Sequence, residues 1–346
     1  MALAVALVLL SLVIILIAAE LFTNAVEWFG HRLGLAEGAV GSVLAAVGTA
    51  MPETMIPIIA IVFIGSEDAH EIGIGAILGA PFLLSTAAFA VTGLGVLAFA
   101  NRRASGTMMR VDPEVIRRDI GYFFVVYLFA IGASFIPWHE VKLGVGALLL
   151  LLYGAYLYMT FTDKGGPVAE VSEDIASLRL HRLFAKTGPP PTPLIVVQLL
   201  GALALIVGGA QLFVTNLEEV SHDLGVPALA LALVIAPLAT ELPEKFNSII
   251  WVRQNKDTLA MGNITGAMVF QSAIPTSVAL VFAPATWVAG PGSYLAFTSA
   301  GIAFLASAAI FLPMARSGRL RGRGLLVGGA FYVAYLVIVG IGIGSS

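Results

Sequence analysis

Residues 258–315 contain no Asp, Glu, Lys or Arg. A run of that kind is not kept in water. Lipid admits it as helix, whose backbone polar groups find their partners within the segment. It is long enough for two spans of about 20 residues each, separated by the Pro- and Gly-rich segment 284–292. The rest of the chain has the same character. Hydrophobic residues make up 59% and charged residues 11%, against roughly a quarter charged in soluble domains. The chain is an integral membrane protein. It has no cysteine, which excludes disulfides and thiolate metal sites. Residues 1–19 are apolar with no basic residue ahead of them, the pattern of a first transmembrane helix and not of a signal peptide.

Hydropathy places ten helices at about 3–27, 38–64, 72–100, 119–137, 143–161, 194–217, 225–252, 258–284, 292–312 and 324–344. The expected fold is therefore an all-α polytopic membrane protein. A polar linker, 163–193, with Gly165-Gly166-Pro167 and Pro189-Pro190-Pro191, separates five helices in 1–162 from five in 194–346. A short surface helix is expected within it, around 172–184. Sixteen of the eighteen Lys and Arg fall in one set of alternate loops; Lys142 lies on the other side and Lys245 within a span. The excess of basic residues in cytoplasmic loops then puts both termini outside the inner cell membrane. The outer loops are acidic (Glu67, Asp68, Glu71, Glu140, Glu218, Glu219, Asp223). These read as solvated loop charge or as a means of concentrating cations at an outer mouth. No nucleic-acid partner is expected.

Shifted by 191 positions, the halves align without a gap for over thirty residues. Leu21-Phe22 falls on Leu212-Phe213, Glu27 on Glu218 and His31 on His222. Gly48-Thr49-Ala50-Met51-Pro52-Glu53 falls on Ala239-Thr240-Glu241-Leu242-Pro243-Glu244. Slightly further on, Gly75-x-x-x-Gly79 matches Gly262-x-x-x-Gly266. Five helices per half is an odd number, so the halves enter the membrane from opposite sides, as two inverted five-helix repeats.

The Thr-x-x-Pro-Glu element joins a broken backbone to an ionisable oxygen. Proline removes a donor and clashes with the preceding turn, so Pro52 and Pro243 are expected to bend or open their helices and loosen carbonyls one turn upstream. Thr49 and Thr240 precede them on nearly the same face, and Glu53 and Glu244 follow. A charge at the bilayer centre costs about 2.5–3.5 kcal/mol on insertion scales, and two facing carboxylates repel. A divalent cation relieves both problems. Calcium takes about 6–8 oxygens in irregular geometry, a number that two Glu, two Thr, carbonyls and water supply. A kink with a water-facing Glu is the bland alternative for either copy alone.

These residues resemble the cation/calcium exchanger superfamily, which includes the sodium/calcium exchangers. Its repeats carry a Gly-Thr-Ser-Leu-Pro-Glu-like element and then a Gly-Asn-x-x-Gly-Ser-Asn-like element, here at 48–53 with 75–84 and at 239–244 with 262–271. The resemblance implies alternating-access antiport, in which the first and sixth helices slide against a core of eight. Calcium or a related divalent cation would be exchanged for sodium, with protons as the alternative counter-ion. It implies Glu53 and Glu244 as the main ligands, completed by Thr49, Thr240 and carbonyls near Ala46 and Pro237. No resident cofactor is implied, since the ions are cargo.

The chain departs from the family pattern. The serine after Thr is Ala50 in one half and Glu241 in the other. In the second element the polar residues become Ala76, Ala80-Pro81 and Leu84 in the first half. In the second half Asn263 survives and the last position is Gln271. Fewer hydroxyl and amide oxygens weaken sodium coordination most in the first half. Glu241 and Lys245, four apart on a helix, can pair; alternatively Lys245 faces water. Gln198 and Asn216 read as interhelical hydrogen-bonding residues, and Trp28, Trp138, Trp251 and Trp287 as interface anchors. A channel or an intramembrane enzyme is a more distant reading. No Asp lies mid-span and no His-Glu-x-x-His motif is present.

Overall fold

A computed structural model describes residues 1–33, 51–162, 177–183, 189–290, 293–313 and 319–344. The protein is mostly helical. In chain order the helices are α1 (Ala2–Arg32), α2 (Met51–Ile64), α3 (Glu67–Ala98), α4 (Pro113–Gly132), α5 (His139–Thr162), α6 (Arg179–Leu183), α7 (Thr192–Leu224), α8 (Ala228–Thr240), α9 (Leu242–Arg253), α10 (Asp257–Phe282), α11 (Tyr294–Phe311) and α12 (Gly322–Gly344). Among the described residues seven are long and apolar enough to cross a membrane: α1, α3, α5, α7, α10, α11 and α12. Helix α4 has the length, but Glu114, Arg117, Arg118 and Asp119 crowd its first half. Helix α2 is cut short because 34–50 lie outside the described residues, and the expected seventh span is divided into α8 and α9.

The division falls at Glu241. Pro243 has no N–H to give and sits in the first turn of α9, where none is needed. Glu241 N–H still reaches Pro237 O at 3.0 Å and Lys245 N–H reaches Glu241 O at 3.3 Å. At this element, therefore, one helix ends and the next begins, with two backbone bonds still made at the junction. Wide π turns follow two other prolines, at Ile59–Ile64 after Pro57 and at Leu84–Ala88 after Pro81. In the latter the side chains serve the loosened carbonyls: Ser85 Oγ donates to Pro81 O at 2.7 Å and Thr86 Oγ1 to Phe82 O at 2.6 Å.

Two pairings position the centre of the molecule. Helices α1 and α7 run antiparallel. Asp223 meets the amino group of Met1, Gly209 lies on Ile14 and Ile15, and Gln198 bonds Asn24. Helices α3 and α8 run parallel and almost touch. A Cβ on Gly75 would lie 2.6 Å from Leu229 O, and one on Gly79 would lie 2.3 Å from Leu233 O. The first Gly-x-x-x-Gly is thus the groove that receives the α8 backbone. Helix α3 also packs on α11 and α12, while α10 packs on α2, α4 and α5.

The two ends of the bundle differ in chemistry. At one, Ser66 donates to Glu218 and His222 pairs with Asp68 at 2.8 Å. At the other, buried Arg103 holds Asp257 at 2.9 Å and donates to Val252 O, fastening the α3–α4 connection to the α9–α10 turn. There strands β1 (Met108–Arg110) and β2 (Arg319–Arg321) pair antiparallel, with Met109 opposite Leu320. Three polar readings change with the structure in view. Trp287 is fully buried and donates to Ala130 O at 2.9 Å, so it is no interface anchor. Lys142, on the acidic side, is buried with Nζ on Pro284 O and Trp287 O at 2.6 and 2.9 Å. Asn216 bonds Leu212 O of its own helix.

The α3–α8 contact makes a direct test. Gly79→Ala forces a Cβ into a backbone carbonyl that cannot swing away, at a cost of about 1–3 kcal/mol. The detergent-solubilised variant is expected to melt several degrees lower than wild type. Gly208→Ala, where a Cβ meets nothing within 4 Å, is expected to melt at or slightly above the wild-type temperature.

Candidate cation site

Helices α2, α3 and α8 enclose a small cavity lined by Glu53, Ile56, Ala76, Ala80, Ala236, Pro237 and Thr240. Each helix contributes residues three or four apart, which share one face. The space has room for about one water, roughly 10 Å³. Glu53 is 5% exposed and lies in the first described turn of α2. Thr240 is buried across from it and donates to Ala236 O at 3.1 Å. The other walls are apolar side chains. The cavity therefore offers a carboxylate from the first half of the chain and a hydroxyl from the second, in a dry setting that a cation would suit and an anion would not.

A second polar contact lies where α8 gives way to α9. Glu241 is fully buried, and Gln271 Nε2 of α10 donates to its Oε1 at 3.2 Å. Lys245 is buried one turn further on, and Asn263 is half-buried on α10. Of the ligand candidates, the structure brings Glu53, Pro237 and Thr240 around one cavity and pairs Glu241 with Gln271. Thr49 and Ala46 lie outside the described residues, as does the side chain of Glu244. Among the described residues no three His, Asp or Glu side chains come together. Ala76 and Ala80, which stand where the family pattern has polar residues, line the cavity themselves.

One buried acid escaped the sequence reading. Asp119 stands at the edge of the expected fourth span, yet it is 1% exposed. Thr265 donates to it at 2.6 Å, Tyr156 at 3.1 Å and Arg118 at 3.2 Å. It joins α4, α5 and α10 away from the cavity. The available signal was weak: one Asp beside an Arg at a span boundary, with a tyrosine on the next helix.

The architecture is that of a multi-pass membrane protein, and comparison with known proteins narrows the class. The sodium/calcium exchanger protein family matches residues 3–162 and 194–343. The chain belongs to that family, whose members are membrane antiporters and not enzymes. It is 26% identical over 319 residues to CaxA of Alkalimonas amylolytica, whose name marks it as a candidate antiporter; the match covers 91% of this chain and 90% of that one. It is 24% identical to the inner membrane protein YrbG of Escherichia coli, over 82% and 81% of the two chains. Among solved structures, the H+/Ca2+ exchanger CAX shares the fold with a TM-score of 0.72 at 19% identity, over 99% of this chain and 85% of that one. The sodium-calcium exchanger NCX_Mj does so with a TM-score of 0.57 at 19% identity, over 97% and 98%.

The Asp119 cluster yields its own expectation. Asp119→Leu leaves Thr265 only the Met261 carbonyl, at 3.1 Å, and strips buried Tyr156 of its acceptor, an orphaned group that costs about 1–3 kcal/mol. Asp119→Asn keeps an acceptor in place. Thermal melting should fall steeply for the leucine variant and much less for the asparagine one.

Proposed function

We propose that this protein is a secondary active antiporter that exchanges calcium, or a related divalent cation, for sodium by alternating access. The observation that carries the reading is the cavity in which Glu53 of the first half faces Pro237 and Thr240 of the second. Glu53 and Glu244 would be the charged ligands. Thr49, Thr240 and carbonyls near Ala46 and Pro237 would supply neutral oxygens, and Glu241, Asn263 and Gln271 would extend the polar lining. Such a set approaches the oxygen count calcium requires.

The ten-span, inverted-repeat organisation belongs to the same proposal, with repeats at 1–162 and 194–346 joined by the linker 163–193. Exchanging the halves maps the partners of α3, namely α8, α11 and α12, onto the partners of α10, namely α2, α4 and α5. An antiparallel α1–α7 pair is what oppositely inserted halves require. The basic end, with Arg103, β1 and β2, would face the cytoplasm of an inner membrane, leaving both termini outside and lipid around the apolar faces. Helices α1 and α7 would be the moving pair. They present Leu9, Val13, Ile17, Val197 and Leu200 outward, where lipid would meet them.

A second reading, calcium/proton exchange through the same carboxylates, is favoured by one feature. Ala76 and Ala80 give the cavity methyl walls in the first half, which leaves few oxygens for separate sodium ions. A carboxylate alternating between metal and proton needs none of them.

Reconstituted vesicles decide between these readings. Calcium uptake should respond to an opposing sodium gradient; a response only to an opposing pH gradient selects the proton reading. Uptake that needs no counter-ion would indicate a channel and sink both. Glu53→Gln should weaken calcium-dependent transport by about tenfold or more, equivalent to at least about 1.4 kcal/mol, with membrane insertion intact. Wild-type transport by this variant would remove Glu53 from the site.

A further inference from the structure

The linker helix α6 is bound to two helices by buried polar groups that the transport reading leaves unused. Its first backbone donors are taken by side chains of α1 and α7. Arg179 N–H donates to Asn24 Oδ1 at 3.0 Å, and Leu180 N–H donates to Gln198 Oε1 at 2.8 Å. The two acceptors are themselves joined: Gln198 Nε2 donates to Asn24 Oδ1 at 3.1 Å and to Leu21 O at 2.9 Å. Asn24 and Gln198 are each 5% exposed.

Beside this network Leu178 is fully buried against Ala25 and Ile195, with Trp28, Phe29, Leu194 and Leu199 around it. The pair between Arg179 and Glu20, at 2.6 Å, is solvent-exposed and adds little. Past α6, near the end of the linker, Arg32 of α1 donates to Pro190 O at 2.6 Å. All of these partners belong to α1, to α7 or to the chain leading into α7.

We propose that Asn24 and Gln198 are positioning residues that clamp the linker helix across α1 and α7, so that the three travel as one body during exchange. The proposal rests on the antiport reading given above and assigns the linker a mechanical part in it. Helices α1 and α7 come from opposite halves of the chain and run antiparallel. In the antiport reading they are the moving pair, and movement of one alone would break the packing of Gly209 on Ile14 and Ile15. A peptide that links the halves covalently and is also hydrogen-bonded into both helices prevents this. Undocking would leave buried Gln198 Oε1 without its donor, remove one of the two donors on Asn24 Oδ1 and uncover Leu178, and a buried network of that kind is stabilised cooperatively. The linker helix therefore stays docked through the cycle. It is not a flap that opens to admit ions.

The chain has no cysteine, so a disulfide can be placed without background. In the Ala25→Cys/Leu178→Cys protein, oxidised in vesicles, the linker is fixed to α1, and calcium transport is expected to stay within about twofold of the reduced form. In the Asn24→Leu/Gln198→Leu protein, the amides of Arg179 and Leu180 should exchange hydrogen about tenfold faster or more. Maximal transport should fall several-fold, with half-saturating calcium unchanged to within about twofold. Asn24→Asp/Gln198→Glu, which keeps the acceptor oxygens, should retain slow exchange and most of the transport.

Loss of transport on oxidation, restored by dithiothreitol, would show that the linker must release and would overturn the proposal. So would wild-type transport in the leucine variant with its linker amides exchanging freely. Failure of the antiport reading looks different, since the unmodified protein itself would then show no counter-ion-driven flux.

Discussion

The absence of water from the hydrocarbon layer governs nearly every feature of this chain. Backbone groups there must bond within the protein, so spans are helical and each departure from regular helix needs a local remedy. Two prolines show such remedies. Pro81 is followed by a π turn whose Ser85 and Thr86 hydroxyls bond back to the carbonyls around it. Pro243 sits in a first turn, where its missing donor is not needed. At these two sites the disrupted backbone is accommodated locally. Glu53 adds a buried carboxylate to a cavity whose other walls are mostly apolar.

The same constraint explains why glycine sets the geometry of the centre. Association of helices in lipid relies on close packing more than on the hydrophobic effect. Gly75 and Gly79 let the α8 backbone approach α3 to a distance no side chain allows. Ala76 and Ala80 lie on the neighbouring face of α3, and Ala236, Pro237 and Thr240 on α8. The small cavity beside Glu53 is what remains when two backbones are drawn together at Gly79 and small side chains line the adjoining strip. Site and packing are therefore one feature: the residues that allow the approach also fix how much room a cation would have.

Much of this was legible in the sequence, and the parts that were not share a cause. Long apolar runs announced the helices, because hydropathy is a local property. The family resemblance pointed to Ala76 and Ala80 before the cavity was in view, because the family carries polar residues at those positions. Three features stayed hidden: the clamp of Arg103 on Asp257, the burial of Asp119 under Thr265 and Tyr156, and the capping of the linker by Asn24 and Gln198. Each joins residues tens to hundreds of positions apart. A charge at the edge of an apolar run looks the same whether it meets water or a distant partner. Trp287 misled for that reason, since a tryptophan at a span end serves equally as an interface anchor or as a core residue.

The two halves share a pattern but not a polarity. On the first-half side of the cavity α3 contributes methyl groups, from Ala76 and Ala80. On the second-half side stand Thr240 in the cavity wall, fully buried Glu241 on its Gln271 partner, and buried Lys245 on the following turn. Buried charges are expensive unless compensated, and gathering them on one repeat confines the compensation to one helix break and its α10 neighbour. In an alternating-access scheme, the α8–α9 bend would then hold most of the polar contacts to the cargo, while the first half would contribute Glu53 and a smooth wall past which α1 and α7 could move.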